Sequence, residues 1–141
     1  MFSMRSFTLA RGMPEIGNHM TRELLTVELD ESLREAARRM AGRGVGAVLV
    51  MEGERLVGIL TERDMLKAVA QGFKDEAKVS EWMTRHPETI EASDSTEHAA
   101  ALMIHGGFRH LPVLEEGSVA GIVSIRDLMR VALQDMSPRG V

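Results

Sequence analysis

The chain contains its own copy. An ungapped alignment of residues 20–69 with residues 83–132, 63 positions further on, leaves 16 of the 50 pairs identical. Met20/Met83, Thr21/Thr84, Gly58/Gly121, Ile59/Ile122, Arg63/Arg126 and Asp64/Asp127 are among them. A repeat constrains architecture first, because each copy is one supersecondary unit that needs a neighbour to bury its apolar face. Two copies are closed most simply as a pair related by a pseudo-two-fold axis. A site built by one copy is then expected twice, in the groove where the copies meet.

With 141 residues the chain can bury a real core as one cooperative module, whereas halves of roughly 60 residues would be marginal alone. No stretch approaches the roughly 20 apolar residues needed to cross a bilayer. The first residues carry Arg5 and Arg11 without a continuous apolar run, which reads against a signal peptide. The sequence has no cysteine, so disulfides and thiolate metal sites are excluded and a reducing, cytoplasmic setting is expected. Seventeen basic residues against 21 acidic ones give a net charge of −4, which leaves no overall field for gathering nucleic acid. Aromatic side chains are few, which weakens any reading as a base-stacking platform. The eleven methionines are read first as core filling.

Each copy spells the order β-α-β-β-α. Leu25–Val27 and Glu88–Ile90 are short β-rich segments, with Asp30 and Ser93 as N-cap candidates after them. Leu33, Ala36, Ala37 and Met40 then recur at helical spacing, as do Thr96, Ala99, Ala100 and Met103, and glycines follow as stops. Residues 45–51 and 56–60 are expected as strands around a turn, and 111–114 and 119–123 repeat them. A second helix closes each copy. The expected fold is therefore mixed α/β (α+β): two β-α-β-β-α repeats, each a three-stranded sheet packed on two helices. The boundaries expected are an extension over 1–14, a first repeat over 15–72, a linker over 73–82, a second repeat over 83–135 and a tail over 136–141.

The sharpest signal is Gly-Ile-x-[Thr/Ser]-x-Arg-Asp at residues 58–64 and 121–127. Its plain reading is structural. Thr61 and Ser124 stand where a strand hands over to a helix, and Asp64 and Asp127 fall at the third helical position, a variant of the capping box. Such caps stabilise each helix by about 1 kcal/mol and need no ligand. The arginine that recurs in both copies, Arg63 and Arg126, is not required by a cap.

At these residues the chain resembles the CBS domain pair, the Bateman module, named after cystathionine β-synthase. The resemblance runs from about Glu15 to Gln134. It rests on Met-Thr near each repeat start, the Gly-hydrophobic-x-Thr/Ser-x-x-Asp signature, the stretch from Phe108 to Val113, and two copies at a fixed offset. It implies a non-catalytic regulatory module whose clefts bind adenosyl compounds: AMP, ADP or ATP, with S-adenosylmethionine or NAD as further candidates and Mg²⁺ only through a nucleotide. It also implies that Asp127 and Asp64 hold ribose hydroxyls, that Ser124 and Thr61 support them, and that Arg109, His110, Arg126 and Arg63 meet phosphates. The residue types agree, since an ionised carboxylate is acceptor-only and a helix N-terminus beside arginine favours anions. Family members usually associate as flat homodimers through helical faces, which the alanine and methionine stripes would suit, and act on an effector, here unidentified.

The two copies are not equivalent. Where the second has Arg109 and His110, the first has Gly46 and Ala47. The Asp127 groove is thus expected to be the better nucleotide site, and the Asp64 groove weak, empty or suited to a less charged ligand. Independent catalysis is not expected: there is no G-x-S-x-G elbow or P-loop, and Glu62, which gives the first copy a second carboxylate, is Ile125 in the second. The five histidines show no metal-ligand spacing. The competing reading is a ligand-free scaffold for partner docking or nucleic acid, carried by Arg34, Arg38, Arg39 and Arg43 on one helix edge. For residues 1–14, packing across a groove or a dimer mate and disorder stay open.

Overall fold

The structure, a computed structural model, describes residues 14–136. The expectations for the extension before Pro14 and for the tail after Met136 lie outside the described residues. The chain divides into two compact units, which cut it differently from the linear repeats. Residues 23–87 form one, here the Asp64 unit; the described residues up to 22 join 88–136 in the other, the Asp127 unit.

In the Asp64 unit the order is β1 (Thr26–Glu28), α1 (Leu33–Arg43), β2 (Ala47–Glu52), β3 (Arg55–Thr61), α2 (Glu62–Gln71), α3 (Val79–Trp82) and β4 (Thr84–Arg85). These strands make a four-stranded sheet, β1-β2-β3-β4, in which β1 runs parallel to β2 and the other pairs are antiparallel. The Asp127 unit has a 3₁₀ turn at Ile16–Asn18, then β5 (Ile90–Glu91), α4 (Thr96–Gly106), β6 (His110–Glu115), β7 (Ser118–Ser124) and α5 (Ile125–Met136). Its sheet is three-stranded, β5-β6-β7, with the same directions. The mixed α/β repeat architecture is as expected, and β4 adds a strand to one sheet. Even the irregularity repeats: the β2–β3 register shifts at Val50/Met51 and the β6–β7 register at Val113/Leu114, 63 residues on.

Each unit is completed by a segment from beside the other repeat. In the Asp64 unit Ala77 and Val79 are buried, although residues 73–82 read as a linker in the sequence. Val79 N–H donates to Glu31 O at 2.9 Å and Ser80 N–H to Leu29 O at 2.9 Å. In the Asp127 unit Ile16 is fully buried, and Ile16 and Gly17 N–H donate to Asp94 O and Ala92 O, each at 2.8 Å. Ile16 and Val79 stand 63 residues apart, so the structural repeat begins before the aligned Met20.

This exchange gives Met-Thr and the motif glycine a common cause. A Cβ on Gly58 would lie 2.7 Å from Met83 Sδ and 2.9 Å from Thr84 O; one on Gly121 would lie 2.7 Å from both Met20 Sδ and Thr21 O. A methionine side chain can give way, but the carbonyl belongs to a strand or bridge pairing. Thr21 and Ile122 exchange two backbone hydrogen bonds of 2.8 and 3.0 Å, and Ile59 pairs with Thr84 in the same register.

Two local expectations need correction. The helix N-caps are Ser32 and Ser95, whose hydroxyls accept from Glu35 N–H and His98 N–H at 3.1 Å, and not Asp30 and Ser93. The helices start later because the preceding turns are closed by carboxylates: Glu31 accepts from Glu28 N–H, and Asp94 from Glu91 N–H. The alanine and methionine stripes also do not lie open for a dimer mate. Ala36, Met40, Ala99 and Met103 are buried in their own units' cores. The large apolar side chains left exposed are Leu66 and Val69 on α2, Ile104 on α4, and Met129 and Leu133 on α5.

Candidate functional site

Strand pairing builds the same corner in both units. His110 pairs with Ser124 across β6 and β7, and Ile125 N–H donates to Arg109 O at 2.8 Å, so Arg109 and His110 stand beside the start of α5. Ala47 pairs with Thr61, and Glu62 N–H donates to Gly46 O at 2.9 Å, giving α2 the equivalent neighbour. The structure thus groups Arg109, His110, Ser124, Arg126 and Asp127 in one unit, and Thr61, Arg63 and Asp64 in the other. Arg126 and Arg63 are exposed on the first helical turns.

Both aspartates cap their helices. Asp127 Oδ2 accepts from Ser124 N–H at 2.8 Å and from Ser124 Oγ–H at 3.0 Å, while Ser124 Oγ accepts from Asp127 N–H at 3.1 Å. Asp64 Oδ2 accepts from Thr61 N–H at 3.0 Å and Thr61 Oγ1 at 3.1 Å, and Thr61 Oγ1 faces Asp64 N–H at 3.2 Å. The capping function is therefore real. It uses one carboxylate oxygen and leaves the other, Oδ1, for further donors.

The corners differ at that oxygen. Asp64 is only 6% exposed, and Thr84 Oγ1 donates to its Oδ1 at 3.2 Å. At Asp127 the donor on Oδ1 is Arg130 Nη1 at 3.4 Å. Arg130 is 66% exposed, so this ion pair is long and solvent-screened and holds little energy. Asp127 keeps an acceptor that a ligand hydroxyl can take; Asp64 has spent its own on Thr84. Sequence reading did not single out Thr84 as a partner of the motif, though its recurrence as Thr21/Thr84 was the available signal.

Other candidates are absorbed by structure. Arg34 pairs with Asp75 at 2.9 Å and lies over the Phe73 ring, Arg38 pairs with Glu35, and Arg39 holds Glu31 and the carbonyl of Thr26. Three of the four arginines on that helix edge are thus engaged within the unit. Among the described residues no group of three or more His, Asp or Glu side chains is placed to hold a metal, and no helix is long and apolar enough to cross a membrane.

Comparison with known proteins agrees with this architecture. The CBS domain family profile matches twice, at residues 15–71 and 79–134. CBS domain-containing protein YhcV of Bacillus subtilis is 35% identical over 117 residues, spanning 82% of this chain and 84% of that one. Among solved structures, CBS domain protein PAE2072 from Pyrobaculum aerophilum, complexed with AMP, is similar with a TM-score of 0.79 and 27% identity, covering 86% of this chain and 97% of that one. The CBS domain pair of protein MJ0100, in complex with 5′-methylthioadenosine and S-adenosyl-L-methionine, gives a TM-score of 0.80 at 26% identity, with 87% and 98% covered. The chain belongs to the CBS domain family, as a tandem pair.

Proposed function

We propose that this chain is a non-catalytic regulatory module that binds an adenine nucleotide at the Asp127 corner and reports its occupancy to a separate effector protein. The observation that carries the reading is the state of Asp127. Its carboxylate is fixed by Ser124, yet its Oδ1 is met only by a long, exposed contact with Arg130. An acceptor-only group so placed suits the vicinal hydroxyls of a ribose. Arg109, His110 and Arg126 supply positive charge for phosphate next to it, and the start of α5 favours an anion. Similar proteins crystallised with AMP, or with S-adenosyl-L-methionine and 5′-methylthioadenosine, support the adenosyl class.

Within that class the charge at the Asp127 corner favours AMP, ADP or ATP, with NAD and S-adenosylmethionine as further candidates and Mg²⁺ arriving only with a phosphate chain. Signalling requires that the ligand bind one conformational or assembly state more tightly than another. The module is read as a cytoplasmic homodimer, reporting adenylate levels. The exposed Leu66 and Val69 on α2, and Met129 and Leu133 on α5, support association, since apolar side chains at helical spacing left in water favour a covering partner.

Isothermal titration with AMP, ADP, ATP, NAD, S-adenosylmethionine and GTP tests the reading. Binding of adenosyl ligands but not GTP, lost on Asp127→Ala, is the expected result. No binding by any of them would leave the motif as a helix cap and favour a ligand-free docking scaffold.

A further inference from the structure

The sharpest difference between the units is an exchanged pair of residues beside the motif. Positions 46 and 62 in one unit, and 109 and 125 in the other, face each other through the same backbone hydrogen bond. In the Asp127 unit the pair is Arg109 and Ile125. In the Asp64 unit it is Gly46 and Glu62, and a Cβ on Gly46 would fall on the Glu62 carboxylate. Glu62 therefore folds over bare backbone, into the space that a side chain at position 46 would use. A cation at one corner is replaced by an anion at the other. Arg63 and Arg126 occupy equivalent positions, so they do not account for any difference between the corners.

We propose that Glu62 is a specificity-determining residue: it makes the Asp64 corner refuse phosphorylated ligands and restricts it to adenosyl compounds without phosphate. The inference rests on the adenosyl reading of the motif given above and adds the chemical class of the second site. A phosphate entering beside Asp64 would meet two carboxylates at a corner that lacks the arginine and histidine of its counterpart. A ribose can still displace Thr84 Oγ1 from Asp64 Oδ1, hydroxyl for hydroxyl, so a nucleoside is accommodated where its monophosphate is not.

Titration of the full chain with AMP and with adenosine provides the test. The wild-type protein should take up a single equivalent of AMP, and adenosine should still bind after the Asp127 corner is saturated with AMP. Glu62→Ile, which copies the other unit, and Glu62→Gln should each create a second AMP equivalent. AMP affinity at that corner should rise roughly tenfold, the scale expected when one like charge near the surface is removed, and the gain should shrink at high salt. Adding Asp64→Asn to Glu62→Ile should abolish the new equivalent and so assign it to this corner. Two similar AMP equivalents in the wild type, or one equivalent in both Glu62 variants, would overturn the inference and leave the Asp127 reading standing. Failure of the wild type to bind either ligand would overturn both.

Discussion

The Asp64 and Asp127 corners share a backbone plan and differ in what their carboxylates have left to offer. Both aspartates close a helix through the Thr61 or Ser124 amide and hydroxyl. Asp64 then takes a further hydroxyl from Thr84, lies almost out of reach of solvent, and has Glu62 as its neighbour. Asp127 takes an exposed arginine instead, with Arg109 and His110 alongside. Duplication supplied two copies of a helix cap. Only where the second oxygen remains available, and the surrounding charge is positive, does a cap become a plausible nucleotide grip. The same motif can thus serve stability in one unit and binding in the other.

The largest effect should separate the corners by affinity. Asp127→Ala removes charge-assisted hydrogen bonds of roughly 1.5–3 kcal/mol, and so should weaken AMP binding by about 10- to 150-fold. Asp64→Ala should leave that affinity within about threefold while costing more stability than Asp127→Ala, because the carboxylate it removes is the better buried and more fully bonded one. Calorimetric titration and urea denaturation of the two variants would check both halves. Equal affinity losses would dissolve the distinction between the corners.

Next in size is a test of what the units share. Gly121→Ala and Gly58→Ala both push a methyl group against the carbonyl of the crossing segment, so each should destabilise the protein by about 1–3 kcal/mol. Chemical denaturation reads this directly, and a neutral result at either site would mean that the Met-Thr segment does not lie against that glycine.

Smaller effects sharpen the comparison. Thr84→Val should cost about 0.5–1.5 kcal/mol through the lost bond to Asp64, whereas Thr21→Val should be close to neutral, since Thr21 joins its unit through its backbone. At the caps, Ser32→Ala and Ser95→Ala should each cost roughly 0.5–1 kcal/mol, and Asp30→Ala and Ser93→Ala less. A larger loss at Asp30 would restore it as the helix start.

Much of this was legible in the residues themselves. The 63-residue offset, the helical faces through Ala36 and Met40 or Ala99 and Met103, and the strand–turn–strand pattern after each glycine stop specify two β-α-β-β-α copies. Local chemistry also identified the capping pairs Thr61/Asp64 and Ser124/Asp127, and charge inequality between positions 46–47 and 109–110 marked the corners as different. These features depend on neighbours along the chain or on residue type, so one dimension suffices to express them.

Tertiary structure decided the rest. Periodicity reports that Ala77, Val79 and Ile16 have apolar character but not which surface buries them. That is why residues 73–82 read as a linker and yet complete the core of the first copy, while Ile16 completes the second. The bond from Thr84 to Asp64 spans twenty residues, and Glu62 meets Gly46 across a strand pairing. Neither has a local signature. Sequence fixes what a side chain can donate, accept or bury; only the folded chain fixes what stands opposite it, and at these two aspartates that is the difference between a filled acceptor and an open one.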